Sequence, residues 1–182
     1  MVRKHNASEN PLASVSLVAG LGNPGEEYER TYHNVGFIVA DIISGHGPYT
    51  VSRTGTFAES TTGRMRFVKP LTFMNDSGRG IHDALRYFRK KTEAMVVIHD
   101  DADIPVGEYK VQFARGAAGH HGIESIIRVL KTNAFWRIRI GIGKQTKNGK
   151  KIPASRTVLG IITKPDLYRF ETIAEEVKGK IL

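Results

Sequence analysis

The stretch Met95-Val96-Val97-Ile98-His99-Asp100-Asp101-Ala102-Asp103 decides how this chain is read. Its first four residues make an apolar run of strand length. That run passes without a break into an imidazole and three carboxylates. Open α/β sheets bind ligands outside the carboxyl ends of their strands, so a site is expected here if the flanking chain alternates strand and helix.

It does alternate. Upstream, residues 15–19 form a short buried strand pattern ending in a Gly/Pro-rich turn, after which Val35, Ile38, Val39, Ile42 and Ile43 fall on one helical stripe. Residues 65–68 read as a strand stopped at Pro70. Ile81, Ala84, Leu85 and Phe88 then mark a helix for which Ser77 or Asn75 is a suitable cap. Downstream, Tyr109, Val111 and Phe113 alternate with Lys110 and Gln112, and Ile123, Ile126, Ile127 and Leu130 take helical spacing. Ile138, Ile140 and Ile142 alternate with Arg137, Arg139 and Gly141, which predicts a strand with one apolar and one basic face. Phe170, Ile173, Ala174 and Val177 predict a last helix entered at Pro165. The expected fold is α/β, a largely parallel or mixed central sheet with helices on both faces. A single domain over residues 14–182 follows a flexible tail, residues 1–13.

Length and composition agree with one compact domain: 182 residues, 40% hydrophobic and 25% charged. No stretch approaches the roughly 20 apolar residues of a membrane span, and the first residues lack a secretory signal, so a cytoplasmic protein is expected. The absence of cysteine excludes a disulfide framework, a thiolate metal site and a cysteine nucleophile. The net charge of +9 favours a polyanionic partner, nucleic acid first. Its placement adds weight: Lys144, Lys147, Lys150, Lys151 and Arg156 crowd one loop, and Arg86, Arg89, Lys90 and Lys91 cluster at a helix end.

Three polar clusters follow predicted strands. Gly20-Leu21-Gly22-Asn23-Pro24-Gly25 lacks both the Walker ending and the dinucleotide spacing, and a tight turn is its simplest reading. His33, just before the first helical stripe, is a candidate base near neutral pH, provided that something orients it. Asp100 at a strand end is a suitable orienter, although Asp101 and Asp103 are equally available by sequence. Asn75, in Phe73-Met74-Asn75, either caps a helix or donates its amide to a developing oxyanion. Gly116-Ala117-Ala118-Gly119-His120-His121-Gly122 is a loop feeding a helix. Adjacent histidines seldom share one ion, so no metal is expected.

Together these motifs resemble the bacterial-type peptidyl-tRNA hydrolase family, from about residue 15 to residue 160. The pieces that carry the likeness are the glycine turn with Tyr28, His33-Asn34, Lys69-Pro70-Leu71-Thr72-Phe73-Met74-Asn75 with Ser77-Gly78, and His99-Asp100 with Asp103, Pro105 and Gly107. Gly119-His120 and Arg137-Ile138-Arg139-Ile140-Gly141-Ile142-Gly143 complete it. The resemblance implies a monomeric three-layer α/β/α sandwich with a mixed sheet, without cofactor or metal. It also implies hydrolysis of the ester between a peptidyl group and the terminal ribose of tRNA.

Carried over by position, His33 is the general base, Asp100 orients it, and Asn23 and Asn75 hold and polarise the ester. Tyr28, Phe73, Met74, Gly119, His120 and His121 line the substrate. Arg139, with Lys110 or Arg115, is the expected tRNA phosphate contact. Two departures stand out: His121 occupies the place of a family asparagine, and Tyr32 that of a basic residue. The chain also stops early for the family, so its final helix is expected to be short after Val177. Two rival readings exist. One is a non-catalytic RNA-binding protein on the same fold. The other is a metal-dependent phosphoesterase using Asp100, Asp101, Asp103 and His120.

Overall fold

The computed structural model describes residues 10–146 and 148–182. Most of the expected tail therefore lies outside the described residues, as does Lys147 of the basic loop. The end of that tail is a correction. Leu12 is buried in the core, and Asn10 Nδ2 donates to the Lys180 carbonyl at 2.6 Å, so residues 10–13 belong to the domain.

Seven strands form one sheet: β1 (Leu17–Gly20), β2 (Thr50–Val51), β3 (Phe57–Thr62), β4 (Met65–Pro70), β5 (Met95–Pro105), β6 (Tyr109–Phe113) and β7 (Trp136–Gly143). Their order is β2-β3-β4-β1-β5-β7-β6. The central pairings β4–β1, β1–β5 and β5–β7 are parallel, whereas β2–β3, β3–β4 and β6–β7 are antiparallel. The sheet is thus mixed, as expected. The β2–β3 hairpin was not anticipated, because Phe57-Ala58-Glu59-Ser60-Thr61-Thr62 carries little apolar signal.

The helices are α1 (Val35–Ser44), α2 (Ser77–Tyr87), α3 (His121–Leu130), the single turn α4 (Ala154–Thr157) and α5 (Lys164–Ile181). Successive strand residues face opposite sides of the sheet, which builds two cores. Val18, Val96 and Ile98 pack with Val39 of α1 and Phe170 and Val177 of α5. Leu17, Ala19 and Val97 pack with Ile81 of α2 and Ile123 and Ile126 of α3. The α5 helix, expected to be cut short after Val177, runs on to Ile181, whose side chain is buried.

Neither Ser77 nor Asn75 caps α2. A 3-10 turn, Met74–Asp76, leads into it, Asp76 stands at the N-cap without a side-chain bond, and Ser77 Oγ donates to the Met74 carbonyl at 2.9 Å. One glycine sets how closely the first helix approaches the sheet. A Cβ on Gly36 would meet the Ile98 carbonyl oxygen at 2.4 Å and the Leu21 oxygen at 2.5 Å. Only glycine therefore lets α1 lie against the ends of β1 and β5, which brings the segment before α1 next to Asp100.

Candidate active site

Asp100 lies near the carboxyl end of the sheet on β5, a strand that continues through the whole acidic cluster. His33 sits in a 3-10 turn, Tyr32–Asn34, that enters α1. Though 67 positions apart, His33 Nδ1 and Asp100 Oδ1 meet at 2.8 Å. A second imidazole, that of His120, reaches the same oxygen through Nε2 at 2.9 Å. The tautomer of His120 follows from its other nitrogen. Nδ1 accepts the Ile123 backbone N–H as the N-cap of α3, so Nε2 carries the hydrogen donated to Asp100. His33 likewise donates from Nδ1, which leaves its Nε2 available to take a proton. Burial by itself would raise the Asp100 carboxyl, but the electrostatic pull and hydrogen bond of the His120 N–H, and then those of His33, outweigh it and hold the group well below the usual carboxylate range.

Behind this trio lies a second layer. His99 is wholly buried; its Nδ1 donates to the Asp100 carbonyl at 2.6 Å, and its ring meets His120 edge-on, centroids 4.5 Å apart. Burial, reinforced by His120 and Arg137, holds His99 well below the usual imidazole range, so it is neutral. Arg137 supplies the donors to His99 Nε2 and also binds the carbonyls of Arg115 and Gly116 at 3.3 and 2.6 Å. The loop that presents His120 is thereby tied to β7.

Asn23 is set from two sides. Asn34 accepts its backbone N–H and donates to its carbonyl, both at 2.9 Å, and Asn23 Oδ1 accepts the Met74 N–H at 2.8 Å. With Oδ1 so engaged, Nδ2 is the part of the amide that remains to donate. Asn23, His33, Phe73, Met74, Asn75 and His121 line one recess of about 440 Å³. His33 and His121 also border an adjoining recess of about 220 Å³ with Asp100, Gly119, His120 and Ser155. Tyr28 packs edge-on against Phe73 at 6.2 Å. An oriented base, a buried carboxylate and a fixed amide donor around one cleft form a set suited to ester hydrolysis.

A family model described as Peptidyl-tRNA hydrolase matches residues 17–181. The chain belongs to the peptidyl-tRNA hydrolase family. The peptidyl-tRNA hydrolase of Listeria welshimeri is 44% identical over 138 residues, 73% of this chain and 75% of that protein. The peptidyl-tRNA hydrolase of Aquifex aeolicus is 39% identical over 138 residues, 73% and 72% of the two chains. The solved peptidyl-tRNA hydrolase of Acinetobacter baumannii superposes with a TM-score of 0.79 at 27% identity, covering 93% of this chain and 87% of that one.

Within this peptidyl-tRNA hydrolase fold, the expected residues Asn23, His33, Asn75, Asp100, Phe73, Met74, Gly119, His120 and His121 gather at one cleft. The basic strand face does not form. Arg139 is 5% exposed, with Nε and Nη2 on Asp101 at 2.8 and 2.7 Å and Nη1 on Gln112 at 2.6 Å. The reason is that β7 is an interior strand, covered on both faces, so its arginines must pair inside. Lys110 and Arg115, by contrast, are exposed on and just after edge strand β6. The second basic cluster, Arg86 to Lys91, comes shortly before Met95, which begins β5 about 17 Å from Asp100 at strand rise.

The four-ligand metal set fails to assemble, since the carboxylates of Asp101 and Asp103 are engaged by Arg139 and Lys151. His33, Asp100 and His120 do offer ligand atoms within 4.8 Å of one another. His120 Nε2 carries a hydrogen, however, and has no lone pair for a cation unless the α3 cap breaks. Among the described residues no helix is long and apolar enough to cross a membrane. Asn34 and His99 stand inside motifs that the sequence shows without revealing a role for either, and His120 pairs with Asp100 as a hydrogen-bond donor rather than as a fellow metal ligand.

Proposed function

We propose that this chain hydrolyses the ester between the peptidyl group and the 3′-terminal ribose of tRNA, with His33 as general base. Water bound at His33 Nε2 loses a proton to the imidazole and attacks the ester carbonyl. Asp100 holds the ring by Nδ1 and stabilises the imidazolium as it forms. Asn23 Nδ2, and Asn75 beside it, donate to the developing oxyanion. As the intermediate collapses, the C–O bond to the ribose breaks and the His33 imidazolium gives its proton to the leaving ribose oxygen. The peptide departs as its carboxylic acid, which ionises in water. Tyr28, Phe73, Met74 and His121 take the end of the substrate, and exposed Lys110 and Arg115 are the proposed phosphate contacts. The chain acts as a monomer in the cytoplasm and requires no metal for the chemistry.

The observation that carries this reading is the 2.8 Å contact between His33 and Asp100 at a cleft shared with Asn23. Pure RNA binding has no use for a base paired with a buried carboxylate. The test is release of free tRNA from an N-blocked aminoacyl-tRNA, in EDTA, by the parent and by His33→Ala. Release that disappears in the variant supports the mechanism. Tight tRNA binding without release by the parent points to the non-catalytic RNA-binding alternative, and loss of release in EDTA to a metal enzyme.

A further inference from the structure

The residue just before the base is a buried tyrosine with an unusual set of partners. Tyr32 is 2% exposed. Its hydroxyl donates to Asp166 Oδ2 at 2.5 Å and accepts from Lys144, whose ammonium also lies 4.2 Å over the ring. Lys144 and Asp166 pair directly at 3.1 Å, and Arg169 adds a second cation on Asp166 at 2.8 Å. Burial works against both charges, yet the bonds to Tyr32 and to each other outweigh it. The Asp166 carboxyl is held below, and the Lys144 ammonium above, its ordinary range.

These partners belong to different elements. Asp166 is in the first turn of α5, and Lys144 opens the basic loop that follows β7. The far end of that loop returns to the same place. The Tyr32 N–H donates to the Gly160 carbonyl at 3.1 Å, the His33 N–H donates to the Val158 carbonyl at 2.8 Å, and the Ile162 N–H donates to the Arg30 carbonyl at 2.8 Å. In between, Ala154, Ser155 and Val158 form a wall of the recess that holds His33 and Asp100. The loop is therefore fastened at both ends to the turn that carries His33, and its opening end is fastened through the hydroxyl and the ring face of Tyr32.

We propose that Tyr32 is a positioning residue for the hydrolysis: its hydroxyl latches the Lys144–Asp166 pair to the His33 turn and so sets that turn and the loop wall facing it. The proposal rests on the reading of His33 as base. The latch acts on placement of the base rather than on capture of tRNA. Small misplacements of a reacting group cost catalysis steeply, so the effect falls on kcat.

The test uses Tyr32→Phe, which keeps the ring and its edge contact with Phe170 but removes the hydroxyl. Expected is a fall in kcat of about 5- to 50-fold on N-blocked aminoacyl-tRNA, with the Kd for deacylated tRNA within about twofold of the parent. Lys144→Met should produce a similar fall, and the double variant little more than either single one, because both break the same latch. Unchanged kcat in Tyr32→Phe overturns the proposal, as do losses that multiply in the double variant or a loss confined to tRNA affinity. An active His33→Ala control overturns the base assignment itself, and with it the latch, and is thereby distinguished from those failures.

Discussion

Arg137 donates from both Nε and Nη2 to His99 Nε2, at 3.0 and 2.8 Å, and neither side chain reaches solvent. A fully buried guanidinium thus has a neutral ring and two backbone carbonyls as its partners. Burial, with help from Arg139 and Arg115, pushes it down to about 10, so it stays charged at neutral pH.

Replacing Arg137 by methionine removes that charge but strands the acceptors on His99, Arg115 and Gly116. A stranded acceptor costs roughly 1–3 kcal/mol, partly offset by relief of the buried charge, so Arg137→Met should lose about 2–4 kcal/mol. Urea unfolding measures this, and an unchanged midpoint would contradict the account of the pair.

The neutral state of His99 makes stability depend on pH. Its folded pKa lies below the unfolded value of about 6.5, so below pH 6.5 the unfolded chain binds a proton that the folded chain does not. Its contribution is complete above that pH and falls by up to about 1.4 kcal/mol per unit below it. Asp100, also depressed, contributes the same sign of effect only below about pH 4. Unfolding free energies at pH 7, 6 and 5 test the first window, and a flat profile there rules out a buried neutral His99.

Asn23 offers a cleaner test of the chemistry than any charged residue. Asn23→Asp keeps an oxygen for the Met74 N–H but replaces the remaining amide donor with a carboxylate oxygen. The oxyanion then meets a negative acceptor, and kcat should fall about 10²- to 10³-fold with little change in thermal stability. Equal losses of activity and stability would make Asn23 a structural residue.

How much of this was legible in the sequence follows from the range of the forces involved. Strand and helix periodicity is local, so α1, α2, α3 and the central strands could be read from apolar spacing. The choice of Asp100 over Asp101 and Asp103 could not, because it depends on which face of β5 meets the turn before α1. Arg137 and Arg139 looked like a surface face, since nothing in their own segment reveals that β6 and β5 flank them. The role of His120 was hidden for the same reason. Its cap on α3 is a local bond, but its bond to Asp100 exists only in the folded sheet.

His121 is 75% exposed at its side chain and pairs with Glu124 at 3.1 Å while bordering both recesses. A neutral imidazole with Nδ1 engaged presents one remaining nitrogen to substrate, whereas an amide presents both a donor and an acceptor. His121→Asn should therefore raise kcat/KM a few fold and alter its pH profile. Rate and profile both unchanged would show that this position is indifferent to the reaction.

Phosphate contacts are best sought on the exposed rim rather than at buried Arg139. Lys110→Ala should reduce the salt slope of tRNA binding by about one unit and leave kcat for bound substrate unchanged. Arg139→Ala would instead leave the Asp101 carboxylate buried without its partner, so its effect should register first in the melting temperature.

The place of β5 between β1 and β7 has a consequence for biogenesis. The strand bearing Asp100 pairs with neighbours distant in the chain, and such non-local pairing is slow compared with helix formation. A newly made molecule can acquire its helices early and still lack any hydrolytic power until that strand is seated. Recovery of activity after dilution from denaturant should accordingly lag behind recovery of helical signal, so that enzymatic competence is the last property the maturing polypeptide gains.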